Sequence, residues 1–274
     1  MLLTEPTTRP LGSLAAVRAL TGHAALLTRV TRNELAARYA GSLLGLGWVI
    51  VAPVLVLGIY GLIYLVIFQV RVPNLSPLGY LAYVFAGLVP YLMTAEALSF
   101  SVTSVVQNKA ALGNTVFPID LMPPKAVLLA QGTMAIGLIA IVLTGLLAHT
   151  LTWTALFVLI VWPLHILALI GIGWVLAMLN VVFRDLQNLI NALLMILLVA
   201  SPIAYTPEMV PESLKPLILL NPFAYFVTTY QRILVLGEPP TPTKTVILLF
   251  GSLAMFWFGS WFFGRSKRIL VDYV

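Results

Sequence analysis

Long apolar runs, separated by short clusters of charged, glycine and proline residues, dominate the pattern of this chain. A helix needs about 20 apolar residues to cross about 30 Å of hydrocarbon, and six runs approach or exceed that length. They cover residues 43–69, 80–106, 126–148, 155–180, 188–206 and 245–263. The pattern therefore predicts an all-α integral membrane protein with six transmembrane helices.

Residues 217–236 form a further apolar run that is long enough to be a seventh span. Asn221 and Pro222 interrupt it early, and Arg232 lies near its other end. Because prolines bound this region, we predict short amphipathic or re-entrant helices over residues 207–242, on the outer face between spans five and six.

The composition agrees with a membrane protein, since 61% of residues are hydrophobic, 9% are charged and the mean hydropathy is +1.03. With six spans and a cytoplasmic N-terminus, eleven of the 15 Lys and Arg residues lie inside and four outside, as the positive-inside rule favours. The predicted organisation is a cytoplasmic N-terminal segment (1–39), a six-span domain (40–264) and a cytoplasmic tail (265–274).

The N-terminal segment is basic, and it lacks the compact apolar core and cleavage site of a signal peptide. If residues 14–38 form one helix, Arg18, Arg29 and Arg32 fall on one face and Leu27 lies nearly opposite. That pattern predicts an interfacial amphipathic helix. Attraction to anionic headgroups and docking to a partner both remain open.

Two other segments combine polar residues with a predicted cytoplasmic position. Arg184 and Asp185 are adjacent between two apolar runs, and neighbours on a helix do not face each other. They indicate either a snorkelling arginine and a helix-start aspartate, or a structured surface that packs on another element or subunit. The loop at residues 107–125 is apolar and rich in Gly and Pro, so it either binds a partner or folds back under the bundle.

Glu96 is the one acid well inside a predicted span, where an ionisable side chain by default indicates function. It is either a neutral acid bonded to a hydroxyl such as Ser99 or Ser101, or a carboxylate that faces a wet cavity. Aromatic residues concentrate near the predicted outer face. They form an interfacial belt or line a path in which rings stack on sugar faces.

The sequence also argues against several kinds of catalytic site. No Gly-Lys dipeptide occurs, so the chain has no phosphate-binding P-loop, and we find no metal-binding spacing and no cysteine. We therefore expect a non-enzymatic chain with no cofactor or metal of its own and no nucleic-acid partner.

Five segments, in this order, resemble the permease subunit of the ABC-2 type polysaccharide exporters, which export O-antigen, teichoic acid or capsule chains. They are NELAARYAGSLLGLGWVIVAPVL, NKAALGNTVFPID, LNVVFRDLQNLIN, SPIAYTPEMVP and LNPF. The resemblance covers essentially the whole chain. It implies a homodimer in the bacterial inner (cytoplasmic) membrane, with both termini cytoplasmic, that works with two copies of a separate ATPase carrying ATP and Mg²⁺. The substrate would be lipid-linked polysaccharide, and periplasmic or outer-membrane export proteins are further candidate partners.

The resemblance also implies roles for individual residues. Contact with the ATPase would fall to Gln107, Asn108, Lys109, Leu112, Asn114 and Thr115. The cytoplasmic gate and interface would contain Arg29, Arg32, Arg38, Arg184 and Asp185. The channel lining would include Tyr60, Tyr64, Tyr91, Glu96, Tyr205, Phe223 and Tyr225. Glu96 departs from the small neutral polar residue expected in relatives.

Two alternatives share much of this pattern. One is an ABC-2 permease for a drug or small lipid. The other is a proton-coupled flippase that needs no ATPase and uses Glu96 as its proton carrier.

Overall fold

The computed structural model describes residues 13–67, 75–108 and 117–273, and every regular element in these ranges is helical. The helices are α1 (Ser13–Gly22), α2 (Ala24–Arg38), α3 (Trp48–Leu62), α4 (Pro77–Gln107), α5 (Met122–Leu129), α6 (Gln131–Leu147), α7 (Val158–Val182), α8 (Leu186–Ala200), α9 (Lys215–Leu220), α10 (Pro222–Gln231) and α11 (Pro242–Tyr273). Short 3₁₀ turns occur at Gly45–Gly47, Ile119–Leu121, Trp153–Phe157, Pro207–Met209 and Glu212–Leu214, and π turns occur at Ile63–Ile67 and Arg232–Leu236. The predicted all-α class is confirmed for these ranges.

Five helical stretches of the described chain are long and apolar enough to cross a membrane. They are Gly45–Ile67, Pro77–Gln107, Ile119–Leu147, Trp153–Val182 and Pro242–Lys267. The predicted span at 188–206 corresponds to α8, which has only 15 residues and ends at Ala200. The prediction of a helix reaching residue 206 is therefore wrong. Pro202 disfavours a helical backbone at the residue before it, and Ser201 is extended, with ψ of 140°.

The N-terminal segment that we treated as one helix is two helices in the structure. The chain leaves the helical conformation at His23, with φ of −111° and ψ of 15°, directly after Gly22, whose helix propensity is low. The predicted faces of α2 nevertheless hold, since Leu27 is buried while Arg29 and Arg32 are exposed.

Helix α4 is the centre of the bundle and packs against α5, α6, α7, α8 and α10. Two residues favour the start of α4 at this point. Ser76 caps the helix by accepting a hydrogen bond from the Gly79 amide at 3.1 Å, and Pro77 occupies the first turn. Small buried residues recur along it and let neighbouring helices approach, namely Gly79, Ala82, Ala86, Gly87, Ala97 and Ser101.

Helices α7 and α11 cross at Gly171 and Gly259, where their backbones come very close to each other. A Cβ added at Gly259 would lie 2.1 Å from the carbonyl oxygen of Gly171, and one at Gly171 would lie 2.2 Å from that of Met255. Only glycine permits this approach of two backbones.

The two ends of the bundle can be told apart by their contacts. At one end, which we call the Asp120 end, the Trp174 indole donates to the Asp120 carbonyl at 2.9 Å. At the other, the Glu238 end, Gly79 lies against Thr150, and Glu238 pairs with Arg232 at 2.6 Å. Helices α4 and α8 run between these ends, so residues 201–241 belong to the Glu238 end.

Residues 201–241 contain the short helices α9 and α10, and a hydrogen-bond network orders them. Asn221 caps α10 by accepting from the Phe223 amide at 3.0 Å, and Pro222 occupies the first position of that helix. The Asn221 amide also donates to Ser201 at 2.8 Å. Gln231 donates to the carbonyl oxygens of Pro202 and Ile203, each at 3.0 Å. The SPI and LNPF segments are therefore structural partners.

Candidate functional site

A cavity of about 590 Å³ lies between α2, α3, α4, α6 and α8. Its walls are mainly apolar. The polar and aromatic residues that line it are Tyr39, Trp48, Glu96, Ser99, Thr133 and Asn191. An apolar cavity with a few converging polar groups is the usual form of a binding site.

Glu96 is half-buried and faces this cavity from α4. The Thr133 hydroxyl on α6 donates to Glu96 Oε2 at 2.5 Å. The hydroxyl that bonds Glu96 is therefore that of Thr133, and not that of Ser99 or Ser101 as suggested by the sequence. Ser99 bonds Asn191, and Ser101 is buried with its hydroxyl unpaired. Glu96 thus both accepts from a hydroxyl and faces a cavity, so this geometry combines features of the two alternatives.

A second polar contact crosses the cavity between α4 and α8. Ser99 donates to Asn191 Oδ1 at 2.9 Å. One helix turn from Glu96, the Phe100 ring packs under the Arg38 guanidinium, whose Cζ lies 3.9 Å from the ring centroid. Arg38 thus fixes the end of α2 beside the cavity.

The other predicted gate residues are less constrained. Arg29 and Arg32 are exposed on α2, and Arg184 and Asp185 are exposed in the turn between α7 and α8. None of these four takes part in an ion pair among the described residues. Asp185 precedes the first turn of α8, where its negative charge stabilises the helix by interacting with the positive end of the helix dipole.

The residues predicted to contact an ATPase fall at the end of α4. Gln107 is exposed, and Asn108 donates to the Ser104 carbonyl at 2.7 Å. Lys109, Leu112, Asn114 and Thr115 lie outside the described residues.

The aromatic residues proposed to line a channel have two kinds of environment. Tyr91 and Phe223 are buried within the chain, and the Tyr91 hydroxyl donates to the Leu194 carbonyl. Tyr60 and Tyr64 are half-buried, with ring centroids 6.1 Å apart. The residues that remain accessible are therefore better placed to meet a substrate.

Tyr205 and Tyr225 lie half-buried at the Glu238 end. Tyr205 donates to the Val199 carbonyl at 3.2 Å, and Tyr225 donates to the Leu219 carbonyl at 3.1 Å.

The sequence analysis missed two ion pairs at the Asp120 end. Glu34 on α2 pairs with Lys125 on α5 at 2.5 Å, and Asp120 pairs with Lys267 on α11 at 3.1 Å. The signal was a lysine, in the Pro-Pro-Lys sequence, at the edge of an apolar run. The positive-inside rule uses this lysine, Lys125, only as a charge that indicates orientation, and does not predict its partner.

Residues 25–235 of this chain match the ABC-2 type transporter family. The match covers well over half of the chain, so this protein belongs to the ABC-2 type transporter family. Together with the long apolar helices, it defines a multi-pass membrane permease.

Similar proteins point to one branch of that family. The O-antigen export system permease protein RfbA of Myxococcus xanthus is 27% identical over 255 residues, which covers 92% of this chain and 96% of the relative. A Klebsiella pneumoniae protein of the same name is 27% identical over 218 residues, covering 77% of this chain and 81% of the relative. The resemblance to exporter permeases is therefore confirmed.

Proposed function

We propose that this chain is the transmembrane permease subunit of an ATP-driven exporter that moves lipid-linked polysaccharide, of the O-antigen, capsule or teichoic acid type, across the bacterial inner membrane. The observation that carries the proposal is the similarity to O-antigen export system permeases over nearly the whole chain. The cavity beside Glu96 supports it, because its hydroxyl, amide and carboxyl groups can bond sugar hydroxyls inside an apolar bundle.

Energy for transport would come from a separate ATPase subunit, which binds ATP and Mg²⁺. The absence of a Gly-Lys dipeptide from the sequence supports this division, because a P-loop requires that pair. Two copies of the permease and two of the ATPase form the proposed complex, and the permease itself needs no cofactor.

Six spans and cytoplasmic termini complete the proposed topology. A helix of 15 residues, such as α8, is about 22 Å long, so in the proposed topology α8 crosses together with the non-helical residues 201–206. The excess of basic residues favours a cytoplasmic Asp120 end. The Glu238 end then faces outward.

In the proposed mechanism, ATP binding displaces the end of α4 and the segment that follows it, which includes the residues at 107–115. That displacement passes to α2 and to the turn at Arg184 and Asp185, and the bundle alternates between two states. The ATPase can drive this change only if it binds the two states with different affinity. The polysaccharide then moves in steps past Glu96 towards Tyr205 and Tyr225.

The first test is purification of the tagged chain from its own host in mild detergent, with partners counted by mass spectrometry. We expect an equimolar P-loop ATPase, and we expect depletion of the permease to remove polysaccharide from the cell surface. A double Gln107→Ala, Asn108→Ala variant should lower export. Glu212→Ala, at an exposed position of the Glu238 end, is its control and should not.

The competing functions give different results in the same test. A drug or small-lipid permease would retain the ATPase, but its depletion would leave the surface polysaccharide unchanged. A proton-coupled flippase would purify without an ATPase in every detergent. Either result would contradict the proposed function.

A further inference from the structure

Two ion pairs at the Asp120 end join parts of the chain that are far apart in sequence. Lys125, at the start of α5, pairs with Glu34 on α2 at 2.5 Å. Asp120, in the preceding turn, pairs through both carboxylate oxygens with Lys267 on α11, at 3.2 and 3.1 Å. Residues 119–129 are thereby held to the N-terminal helices on one side and to the last helix on the other.

The environment of Lys125 is unusual for a lysine, since its side chain is only 5% exposed. The Phe117 ring lies 5.9 Å from its ammonium group, and Glu34 is the carboxylate within ion-pair distance. A well-packed apolar side chain would often stabilise such a position as well as a buried ion pair does. The pair is therefore better suited to selecting which face of α2 meets α5 than to adding stability.

Asp120 is held as firmly through its backbone. Its carbonyl accepts from the Trp174 indole of α7 at 2.9 Å, while its carboxylate binds Lys267. Ala16 and Leu20 of α1 line the same small space as Trp174 and Asp120. The turn at Ile119–Leu121 thus contacts α7 and α11 and lies across a small space from α1.

We propose that Lys125 and Asp120 are positioning residues that make α2, the start of α5 and the Asp120 end of α11 move as one body during transport. This inference rests on the proposed function, because the displacement has to come from the ATPase. If α2 were attached only by apolar contacts, it could slide when its neighbours move. Paired charges define one register, so a displacement near α5 reaches α2 and Arg38 beside the cavity.

The test separates export from ATP hydrolysis. Lys125→Met removes the buried charge and keeps most of the side-chain volume, while Glu34 remains partly exposed to solvent. In cells whose only permease is the variant, we expect surface polysaccharide to fall by about 2- to 30-fold, the range typical of coupling mutations. Membrane abundance, recovery of the ATPase and its hydrolysis rate should stay at the wild-type level.

Two further variants make the test specific. The exchange Glu34→Lys with Lys125→Glu restores a pair at the same place and should recover most of the export that Lys125→Met loses. Glu238→Gln removes a carboxylate from an ion pair of similar length, 2.6 Å, at the opposite end and should leave export unchanged. Lys267→Met breaks the second pair at a more exposed position and should also lower export per ATP hydrolysed.

The inference is overturned if Lys125→Met and Lys267→Met export as well as Glu238→Gln does, or if the exchanged pair exports no better than Lys125→Met. It is also overturned if export and ATP hydrolysis fall in the same proportion in both methionine variants. If the wild-type chain brings down no ATPase, or its depletion leaves surface polysaccharide unchanged, the proposed function itself fails. That result is read from the wild type alone.

Discussion

Helices α3 and α4 are both apolar spans, yet they occupy opposite positions in the bundle. In α4, 78% of the most apolar stretch is buried, whereas in the stretch that contains α3 only 17% is buried. The stretch containing α3 is nevertheless the more apolar of the two. Apolar content therefore does not tell which helix forms the core of this protein.

Apolar content fails to identify the core helix because the bundle is surrounded by lipid rather than by water. Lipid tails are as apolar as leucine, so an exposed leucine such as Leu62, which is 55% exposed, costs little at the bundle surface. A core position instead needs close approach and satisfied polar groups. Helix α4 has both, in small residues such as Gly87 and in the hydrogen bond of Thr94 with His165. Small residues and hydrogen-bonded polar residues, rather than apolar content, therefore identify the central helix of this bundle.

The largest expected effect compares leucines of the two helices. Leu88 of α4 is fully buried, so Leu88→Ala should lower the free energy of unfolding by about 2–5 kcal/mol. Leu62→Ala on α3 should change it by less than about 0.5 kcal/mol. Thermal unfolding of the purified variants in one detergent measures both. Similar losses for the two variants would show that α3 is covered as α4 is.

The next effect concerns close approach of helices. Gly259→Ala places a Cβ 2.1 Å from the Gly171 carbonyl, so α7 and α11 must separate, at a cost of about 1–3 kcal/mol. Gly251→Ala, in the same helix α11, meets no atom within 4 Å and should be tolerated. The yield of monodisperse protein by size-exclusion chromatography distinguishes them. Equal yields would argue against the tight crossing.

A comparable effect is expected from the polar contact between α4 and α7. Thr94→Val leaves Nε2 of the fully buried His165 without its 2.9 Å partner, which should cost about 1–3 kcal/mol. Thr144→Val is the matched control, because that hydroxyl bonds only carbonyls of its own helix. Unfolding midpoints of both variants provide the check. A stable Thr94→Val protein would mean that another group satisfies the imidazole.

The smallest effect is expected at Glu96. Glu96→Gln keeps an oxygen acceptor for the Thr133 hydroxyl and removes the titratable carboxyl group, so the loss of stability should stay below about 1 kcal/mol. Export driven by ATP should persist in this variant. Abolished export with normal ATP hydrolysis would instead support proton transfer through Glu96. Surface polysaccharide and ATPase rates of the same strain decide between them.

Much of the fold was predictable, because each span leaves a local pattern. The predicted spans at 80–106 and 155–180 agree with the helical stretches Pro77–Gln107 and Trp153–Val182 to within a few residues. The structure has the short helices α9 and α10 in the segment at 207–242, where prolines restrict the backbone. The break at His23 and the end of α8 at Ala200 were missed, because a long apolar or amphipathic pattern continues past them.

The site was less predictable. Glu96 stood out because an acid is rare in an apolar run, but its partner Thr133 is 37 residues away. Glu34 and Lys125 are 91 positions apart in the sequence, and nothing local indicates that they meet. Tyr91 and Phe223 looked like channel aromatics, although both are buried within the chain.

The sequence by itself determined the class of this protein, its family resemblance and the approximate limits of its spans, because hydrophobic length and backbone restriction are local properties. Only the tertiary structure decided which apolar helix is central, which polar groups share the cavity and which charges pair at the Asp120 end. Those outcomes depend on helix packing. In lipid, packing is selected by small residues and by distant polar partners rather than by hydrophobicity.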